Sequence, residues 1–354
     1  MKILHCADLH LGSPLTARLS GEKLASRRAE LTASFYRLIE VAKKEGVAMV
    51  LLAGDIFDGE CVTEVHIADY LSEIEKNPSI DFYYISGNHE KDLLKSRKLP
   101  TNLYIFGDDW RYYKKNGVTV AGRDVLSSDM FSTLSLPRET VNFVLLHGAV
   151  SEGSSGEIPL ALAAGRGIDY LALGHYHTYH ALPIDTRGVA VYAGAPEGRG
   201  FDELGARGCV LIDTAGGRVT YRFVETARRL YLAPEVSVDG AESTVELERR
   251  ADAVLSGISR ESAVRLTFVG TDAGIPLPIS SLTYRYGDEF FLFEIKDKTT
   301  PDLRRAVLES PLARAFVTCC ESDSTLSEEE RRTVLRMGLD ALSGMANEIK
   351  NYEL

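Results

Sequence analysis

Apolar residues in the first 225 positions form two kinds of pattern, short continuous runs and longer stretches with helical spacing. Three of the runs are typical of strands that are covered on both faces, at 2–7, 47–54 and 82–87. Between these runs the apolar positions recur every three or four residues over 22–45, and Thr63 precedes a second helical stretch over 64–76. Further strands are predicted at 103–106, 118–122, 142–147, 169–174, 189–193, 208–213 and 218–224. This alternation of strands and helices indicates an α/β protein.

The pattern changes after about residue 226, where a connector without periodicity leads into a smaller module. The module is predicted to be a helix, a strand, a loop rich in glycine and proline, and two further strands, at 242–257, 262–269, 270–278, 281–286 and 289–296. From Pro301 the chain is predicted to be helical, and Ser327 opens a last helix that reaches about residue 350. We therefore divide the chain into a first domain, a small α/β domain and a helical tail, with bounds 1–228, 229–300 and 301–354.

Composition and cysteine content place the chain among globular proteins of a reducing compartment. Of its 354 residues, 45% are hydrophobic and 26% are charged, and no apolar run is long enough to predict a membrane span. The five cysteines are scattered and form no CxxC pair, which argues against a disulfide framework and against a zinc knuckle. Because the first residues also lack an apolar stretch typical of a secretory signal, we expect a cytoplasmic protein that does not contact a membrane.

Charge is unevenly distributed along the chain. The formal net charge is −11, of which residues 1–230 carry −3 and residues 231–354 carry −8. Divalent cations bound in the first part would make that part locally basic. The acidic C-terminal part is a poor surface for a phosphate backbone, and it is better suited to a protein partner or to solvent.

Five short polar blocks follow predicted strands in the first part of the chain. They are Asp8-Leu9-His10, Gly54-Asp55, Gly87-Asn88-His89-Glu90, His147-Gly148 and Gly174-His175-Tyr176-His177. In open α/β sheets the loops beyond the carboxyl ends of the strands gather at one edge, so we expect these side chains at one rim. Residues two apart in an extended chain point the same way, which would turn both members of the Asp-x-His and His-x-His pairs toward one site.

The blocks combine carboxylates, an amide and imidazoles, which are ligands that suit a pair of divalent cations. Such a pair can clamp the oxygens of a phosphoester during hydrolysis, and a carboxylate suits the position between the ions. Mixed imidazole and oxygen ligands favour manganese, iron, zinc or a similar ion. Each block alone is more often a turn or a packed histidine, so the metal site is indicated only by the five blocks together, each at a strand end.

The order of these blocks resembles the signature of the calcineurin-like metallophosphoesterases. The segments ADLHLGSP, LLAGDIFD, ISGNHE, LLHG, YLALGHYHTYH and YAGAPEGRGFDELGARG are similar to the DNA-repair nuclease branch of that family, which contains the SbcD-like nuclease subunits. The resemblance covers roughly residues 1–230. It implies a four-layer αββα sandwich of two mixed sheets flanked by helices, followed by a small C-terminal α/β cap and a helical tail.

The resemblance also implies a role for each residue of the blocks. The implied ligands of the first metal are Asp8, His10 and His177. The implied ligands of the second metal are Asn88, His147 and His175, and Asp55 would bridge the two ions. A hydroxide held by the metals would attack phosphorus, while His89 would stabilise the developing charge and assist the leaving oxygen. Manganese is the leading candidate for the two ions, with iron, zinc and magnesium as alternatives.

Two carboxylates close to these ligands are expected to support them. Glu90 takes the place of the aspartate that the repair nucleases usually have after Asn-His, and we expect it to orient His89 or a metal ligand. Asp58, in the segment GDIFD, is expected to form a turn or to support a ligand in the same way.

Basic residues after the GNHE segment are candidates for DNA contacts. They are Lys91, Lys95, Arg97 and Lys98. Such a group is often only a solvated face, but beside a phosphodiester site it could follow a nucleic-acid backbone. Arg199, in the segment GRGFDE, is expected near the rim and is a further candidate for a phosphate contact.

The resemblance implies a DNA exonuclease and endonuclease in repair, with an SMC-type ATPase as partner and with a homodimer as a plausible assembly. Two alternatives stay open. The same chemistry could act on a small or cyclic nucleotide or on a phosphoprotein. The chain could instead be mainly a structural subunit that binds DNA ends.

Overall fold

The computed structural model describes residues 1–15, 19, 21–59, 61–90, 93–151, 157–272, 274–302 and 310–342. The chain forms two compact units, Met1–Tyr231 and Leu232–Leu354. Across the described residues, no helix is long and apolar enough to cross a membrane.

The described residues of the first unit form short strands and four α-helices. Its strands are β1 (Lys2–Cys6), β2 (Val47–Ala53), β3 (Asp81–Ile85), β4 (Leu103–Ile105), β5 (Arg111–Lys115), β6 (Val118–Gly122), β7 (Val141–His147), β8 (Val150–Ser151), β9 (Ile158–Pro159), β10 (Tyr170–Gly174), β11 (His180–Pro183), β12 (Val189–Tyr192), β13 (Gly208–Asp213) and β14 (Thr220–Glu225). Its helices are α1 (Gly21–Glu45), α2 (Glu64–Glu75), α3 (Met130–Thr133) and α4 (Leu160–Ala163).

Two six-stranded mixed sheets organise this unit. The first has the order β14-β13-β1-β2-β3-β4, in which β1 to β4 are parallel and β13 and β14 are antiparallel to their neighbours. The second has the order β11-β12-β10-β7-β6-β5, in which the four central strands are parallel and both edge strands are antiparallel. In each sheet the parallel strands therefore bring their carboxyl ends to one edge.

The side chains of β1 alternate between two hydrophobic cores. Ile3 packs with Leu51 and Phe143 in a core that lies between the two sheets. Leu4 points to the opposite face, where it joins Phe35 of α1 and residues of α2. A third core joins the outer face of the second sheet to α3 and α4. The order of layers is helix, sheet, sheet, helix, which confirms the predicted αββα sandwich.

Thr63 caps α2 as its position in the sequence predicts. Its side chain accepts a hydrogen bond from the backbone amide of His66, and the ring of His66 accepts one from the amide of Thr63. This reciprocal pair is a capping box in which histidine replaces the usual glutamate or glutamine.

The described part of the second unit contains a small sheet and four helices. Its elements, with the strand that begins at the junction, are β15 (Tyr231–Leu232), β16 (Glu235–Ser237), α5 (Thr244–Leu255), β17 (Ala263–Asp272), α6 (Ile279–Tyr286), β18 (Leu292–Pro301), α7 (Pro311–Ser322) and α8 (Glu328–Leu342). Strand β17 is central and pairs in parallel with both β16 and β18. Its core is formed with α5 and α6, for example by Leu247, Leu266 and Leu282.

One predicted strand of this unit is wrong. Residues 281–286 form most of α6, because the two buried side chains of this segment, Leu282 and Tyr286, are four residues apart and lie on one helical face. The alternation of aromatic and polar residues in this stretch resembles a strand, but Tyr284 is 94% exposed and contributes nothing to a core. The strand predicted at 289–296 is present as β18.

The tail is helical in its described part. Ser327 opens α8 with the predicted capping box, in which Ser327 and Glu330 exchange hydrogen bonds. The apolar stripe of α8 packs on α7, where Leu335 and Leu339 meet Val317. The predicted continuation of this helix to residue 350 lies outside the described residues beyond Leu342.

Candidate metal centre

The predicted ligand blocks follow β1, β2, β3, β7 and β10 at the edge where parallel strands end. Four residues of these blocks have a left-handed backbone, with φ of 53° at Asp8, 47° at His10, 51° at Asp55 and 107° at His175. Side chains other than glycine rarely adopt this conformation, and it persists where the surroundings enforce it, often at functional sites. The expectation that Asp8 and His10 converge through an extended chain is therefore wrong, because the backbone at both residues is left-handed.

Hydrogen bonds continue beyond the strand ends and fix these loops. The amide of Asp8 donates to the carbonyl of Gly54 and the amide of His10 donates to that of Asp55, both at 3.0 Å. The carboxylate of Asp8 accepts from the amide of His175, which follows a strand of the other sheet, at 2.9 Å. The loops of both sheets are thus joined at the site itself.

Glycine is required where the backbone meets these side chains. A Cβ atom at Gly87 would lie 2.1 Å from Oδ1 of Asp55, and one at Gly54 would lie 2.5 Å from Nδ1 of His147. Neither position can accept a larger residue without moving a predicted ligand.

Three groups of three side chains among the described residues could each hold a cation, and two of them share Asp8. Of these two, the first consists of Asp8, His10 and His177, and the second of Asp8, Asp55 and His147. Within each group the ligand atoms lie within 4.8 Å of one another, and Asp8 belongs to both. The groups are therefore adjacent, as a pair of divalent ions requires.

The protonation of His147 fits a cation ligand. Its Nδ1–H donates to the carbonyl of Ala53 at 2.9 Å, so the hydrogen of a neutral ring lies on Nδ1. The Nε2 atom is buried, has no hydrogen-bond partner among the described residues and lies 3.2 Å from Oδ2 of Asp55. When the ring is neutral, two atoms that carry lone pairs face each other, and a divalent cation would bind both.

His177 is prepared in the same way by a residue that the sequence analysis did not identify. Oε1 of Glu203 lies 2.8 Å from Nδ1 of His177 and can only accept, which leaves the lone pair on Nε2. That Nε2 atom lies 3.2 Å from Nε2 of His10. Glu203 lies 26 positions after His177 in the chain, and no local motif pairs them.

Burial shifts the pKa values of these groups in the direction expected for a site built around positive charge. Burial raises the pKa of the Asp8 carboxyl to about 6 and lowers that of His10 to about 3. For His147 burial acts downward, but the interaction with Asp55 outweighs it and raises the pKa to about 9, so a bound cation would replace the proton on Nε2. A bound cation would take over the stabilisation of both carboxylates.

His175 lies next to His147 without joining either group. The ring of His175 is 5.6 Å from that of His147, measured between centroids. Asn88 is exposed on the loop after β3. Of the residues implied for the second metal, His147 and Asp55 are therefore in contact in this structure, and His175 lies beside them.

Glu90 supports the loop that carries Asp55. It is 2% exposed, and its carboxylate accepts from the amides of Ile56 and Phe57 at 3.0 and 2.6 Å. Burial raises the pKa of this carboxyl to about 8. These contacts are with the backbone next to a ligand, so Glu90 supports Asp55 and not the ring of His89.

Asp58 is close to the predicted catalytic histidine. Its Oδ1 atom lies 3.3 Å from Nδ1 of His89, whose side chain is 51% exposed. Ligand atoms of Asp58, His89 and His10 also lie within 4.8 Å of one another. Asp58 thus contacts one side of the His89 ring, while much of the ring faces solvent.

The candidate DNA contacts are mostly engaged within the protein. Lys95 lies 3.2 Å from Asp108, and Arg97 forms two hydrogen bonds with Glu64. Lys98 is exposed, and Lys91 lies outside the described residues. Arg199 contacts Glu203 and lies 3.8 Å from a carboxylate oxygen of Asp58.

An αββα sandwich with carboxylates and histidines gathered at its strand ends defines the class of metal-dependent phosphoesterases. Residues 1–179 match the sequence profile of the family described as calcineurin-like phosphoesterase. The chain belongs to this family, whose members use two metal ions.

Three relatives refine this placement. An uncharacterised metallophosphoesterase, YhaO of Bacillus subtilis, is 27% identical over 77% of this chain and 72% of its own length. The DNA double-strand break repair protein Mre11 of Saccharolobus solfataricus is 29% identical over 60% of both chains. The SbcD component of nuclease SbcCD from Rhodobacter capsulatus is 34% identical over 25% of this chain and 22% of its own. The chain thus spans three fifths of the length of that Mre11 protein.

Proposed function

We propose that the chain is a two-metal phosphodiester hydrolase that acts on DNA, as an exonuclease and endonuclease in repair. The observation that carries this proposal is the pair of adjacent ligand groups that share Asp8 at the strand ends. The choice of DNA as substrate is supported by the similarity to Mre11 and to a component of nuclease SbcCD.

In this proposal each metal ligand keeps the role that the resemblance implies. Residues for the first ion are Asp8, His10 and His177, those for the second are Asn88, His147 and His175, and Asp55 lies between them. When bound, two divalent ions such as manganese polarise the phosphoryl oxygens and lower the pKa of a coordinated water molecule.

The protein supplies the proton for the leaving oxygen through His89. Asp58 lies on the Nδ1 side of this ring, so the imidazole presents Nε2 to the half-exposed side where a substrate would lie. The ring of His10 is 5.1 Å away, measured between centroids, which places the proton donor beside the first ligand group.

We also propose that an SMC-type ATPase regulates the activity. Support comes from the relative whose name describes it as one subunit of nuclease SbcCD. The acidic C-terminal part of the chain, with a net charge of −8, suits a protein partner better than DNA.

The direct test is manganese-dependent degradation of an end-labelled DNA duplex at low salt. Wild type would be compared with Asp55→Ala and His89→Ala, and a small phosphodiester would be assayed with the same preparations. We expect wild type to cleave both substrates and both variants to cleave neither at a comparable rate.

The other outcomes separate the alternatives. Hydrolysis of a small or cyclic phosphodiester without DNA cleavage would indicate that the substrate is a small phosphodiester, or that DNA cleavage requires a partner protein. DNA binding without hydrolysis of any phosphodiester would favour a structural subunit that binds DNA ends.

A further inference from the structure

We propose that Glu203 and Arg199 are positioning residues that tie the ligand His177 to the proton donor His89, and that Arg199 is not a DNA contact. This inference rests on the proposed two-metal hydrolysis. The connected side chains, in order, are His177, Glu203, Arg199, Asp58 and His89, and we call them the brace.

Glu203 forms the first half of the brace. It is 4% exposed, and its Oε1 atom lies 2.8 Å from Nδ1 of His177. Nη2 of Arg199 also lies 3.2 Å from this Nδ1, but the shorter contact with the buried carboxylate sets the tautomer and orients the ring. His177 can then present only Nε2 toward Asp8 and His10.

Arg199 holds this carboxylate in place. Its Nε and Nη2 atoms lie 3.0 and 2.9 Å from Oε1 of Glu203, and its backbone amide donates to Oε2 at 2.9 Å. The planar guanidinium can engage two groups at once in a fixed geometry, which a lysine ammonium cannot do.

The same guanidinium extends to the other side of the site. Its Nη1 atom lies 3.8 Å from Oδ2 of Asp58, and Oδ1 of Asp58 lies 3.3 Å from Nδ1 of His89. The side chain of Arg199 is 23% exposed, so less than a quarter of it faces solvent.

A second arginine fixes the backbone of the same loop. Arg207 is 3% exposed, donates from Nη1 to the carbonyl of His177 and donates from Nη2 to the carbonyl of Leu204 at 2.9 Å. Arg207 therefore links the backbone next to Glu203 to the backbone of His177, which restrains the loop that carries the brace.

The test combines manganese affinity with steady-state kinetics on the full chain. The variants are Arg199→Lys and Glu203→Gln, and the control is Arg187→Lys, because Arg187 also forms a two-point ion pair, with Asp169, but lies outside the site. Manganese binding would be titrated on metal-free protein. Turnover and KM would be measured on bis(p-nitrophenyl) phosphate and on DNA.

We expect both brace variants to bind manganese about 10- to 100-fold more weakly, as is usual when the support of a metal ligand is lost. At saturating manganese, turnover on both substrates should fall by the same factor while KM for DNA stays constant. The control should match wild type, and circular dichroism would verify that each variant is folded.

A rise in KM for DNA alone would identify Arg199 as a DNA contact and overturn the brace. Unchanged manganese affinity in both variants would overturn it as well. If wild type hydrolyses neither substrate, the proposed function fails, whereas the manganese affinities of the variants still decide the brace.

A separate observation concerns Tyr176, which lies between the predicted ligands His175 and His177. Its ring is 48% exposed and lies 5.2 Å from the ring of His175 and 4.8 Å from that of Tyr192, measured between centroids. The hydroxyl of Tyr192 donates to the carbonyl of Gly148 and accepts from the amide of Val150, both at 2.9 Å. The exposed ring therefore rests on a fixed support.

We infer that Tyr176 is a stacking platform for the nucleobase next to the reacting phosphodiester. An aromatic face at the border of the site suits any base, because every base presents a flat π surface. Such a platform would favour nucleotide esters over simple phosphodiesters, and it would not distinguish one base from another.

The test compares thymidine 5′-(p-nitrophenyl phosphate) with methyl p-nitrophenyl phosphate, which lacks a base. Tyr176→Leu should raise KM about tenfold for the thymidine ester only, whereas Tyr176→Phe and the control Tyr284→Leu should match wild type. Equal effects on both esters, or no effect on either, would show that Tyr176 does not stack on the base. Failure of wild type on both esters would instead count against the proposed function.

Discussion

The two units of the chain differ in where they place charge. In the first unit charged and ionisable side chains are buried at the strand ends, with Asp8 2%, His10 1% and Asp55 3% exposed. In the described part of the second unit the buried polar side chains are all neutral, namely Ser262, Thr267 and Thr299. All eight histidines of the chain also lie within its first 180 residues.

This difference indicates that the first unit carries the reactive site. A buried carboxylate is costly unless a cation or several hydrogen bonds stabilise it, so a fold retains such groups mainly where they act. The second unit forms its ion pairs at the surface, for example between Arg285 and Asp252, where each pair contributes little to stability. We therefore expect equivalent substitutions in the two units to have very different effects.

The largest contrast should come from removing one carboxylate charge in each unit. Asp55→Asn should weaken manganese binding and lower phosphodiester hydrolysis about a thousandfold or more, because Oδ2 of Asp55 lies 3.2 Å from His147 and 4.0 Å from His10, one residue of each ligand group. Asp252→Asn should keep activity within about twofold of wild type. Hydrolysis rates and bound manganese measured on both purified variants would check this, and equal losses would break the comparison.

The next effect should come from the proton donor. His89→Gln should lower turnover about 10²- to 10⁴-fold while bound manganese stays at the wild-type level, because His89 is proposed to act on the leaving oxygen and not as a ligand. Elemental analysis and turnover on the same samples would check this. Loss of manganese in His89→Gln would instead make His89 a ligand, in the third group with Asp58 and His10.

A glycine from each unit tests whether the backbone of the site tolerates a side chain. At Gly87 an added Cβ would lie 2.1 Å from Asp55, whereas at Gly257 no described atom lies within 4 Å. Gly87→Ala should therefore reduce manganese affinity and activity at least about tenfold. Gly257→Ala should leave both unchanged and stabilise the chain by up to about 1 kcal/mol in urea unfolding. An active Gly87→Ala variant would show that the loop after β3 can move away without cost.

The smallest effect should come from a surface ion pair of the second unit. Arg285→Ala removes contacts to Asp252 in which both side chains are about two-fifths exposed. We expect the free energy of unfolding to fall by about 1 kcal/mol or less, with no change in hydrolysis. Urea unfolding would measure this. A much larger loss would show that this ion pair contributes substantially to the stability of the second unit.

Local patterns predicted the alternating strands and helices of the first unit and the position of the candidate ligands at strand ends, whereas the αββα layers were implied by the resemblance to a family. A buried strand is a short apolar run, and each ligand lies within a few residues of its end, as Asp8 and Asp55 do. The prediction did not extend to contacts between distant segments. The pairing of Glu203 with His177 and the contact of Arg199 with Asp58 arise only when the loops meet in space.

The elements that were missed have local reasons. Strand β5 lies at the edge of its sheet and is mostly exposed, so its charged residues resemble a basic cluster more than a strand. Helix α6 was mistaken for a strand because its only buried positions, Leu282 and Tyr286, are too few to define a period. The left-handed backbone at His10 cannot be predicted from propensity, because the surrounding structure imposes it.

The central claim is that the strand ends of the first unit hold two divalent ions. Titration of the metal-free full chain with manganese tests this most directly, with Asp55→Asn and Asp252→Asn as matched variants. The account predicts two ions per chain for wild type and Asp252→Asn, and loss of tight binding in Asp55→Asn. Equal binding by all three proteins, or no binding by wild type, would contradict it.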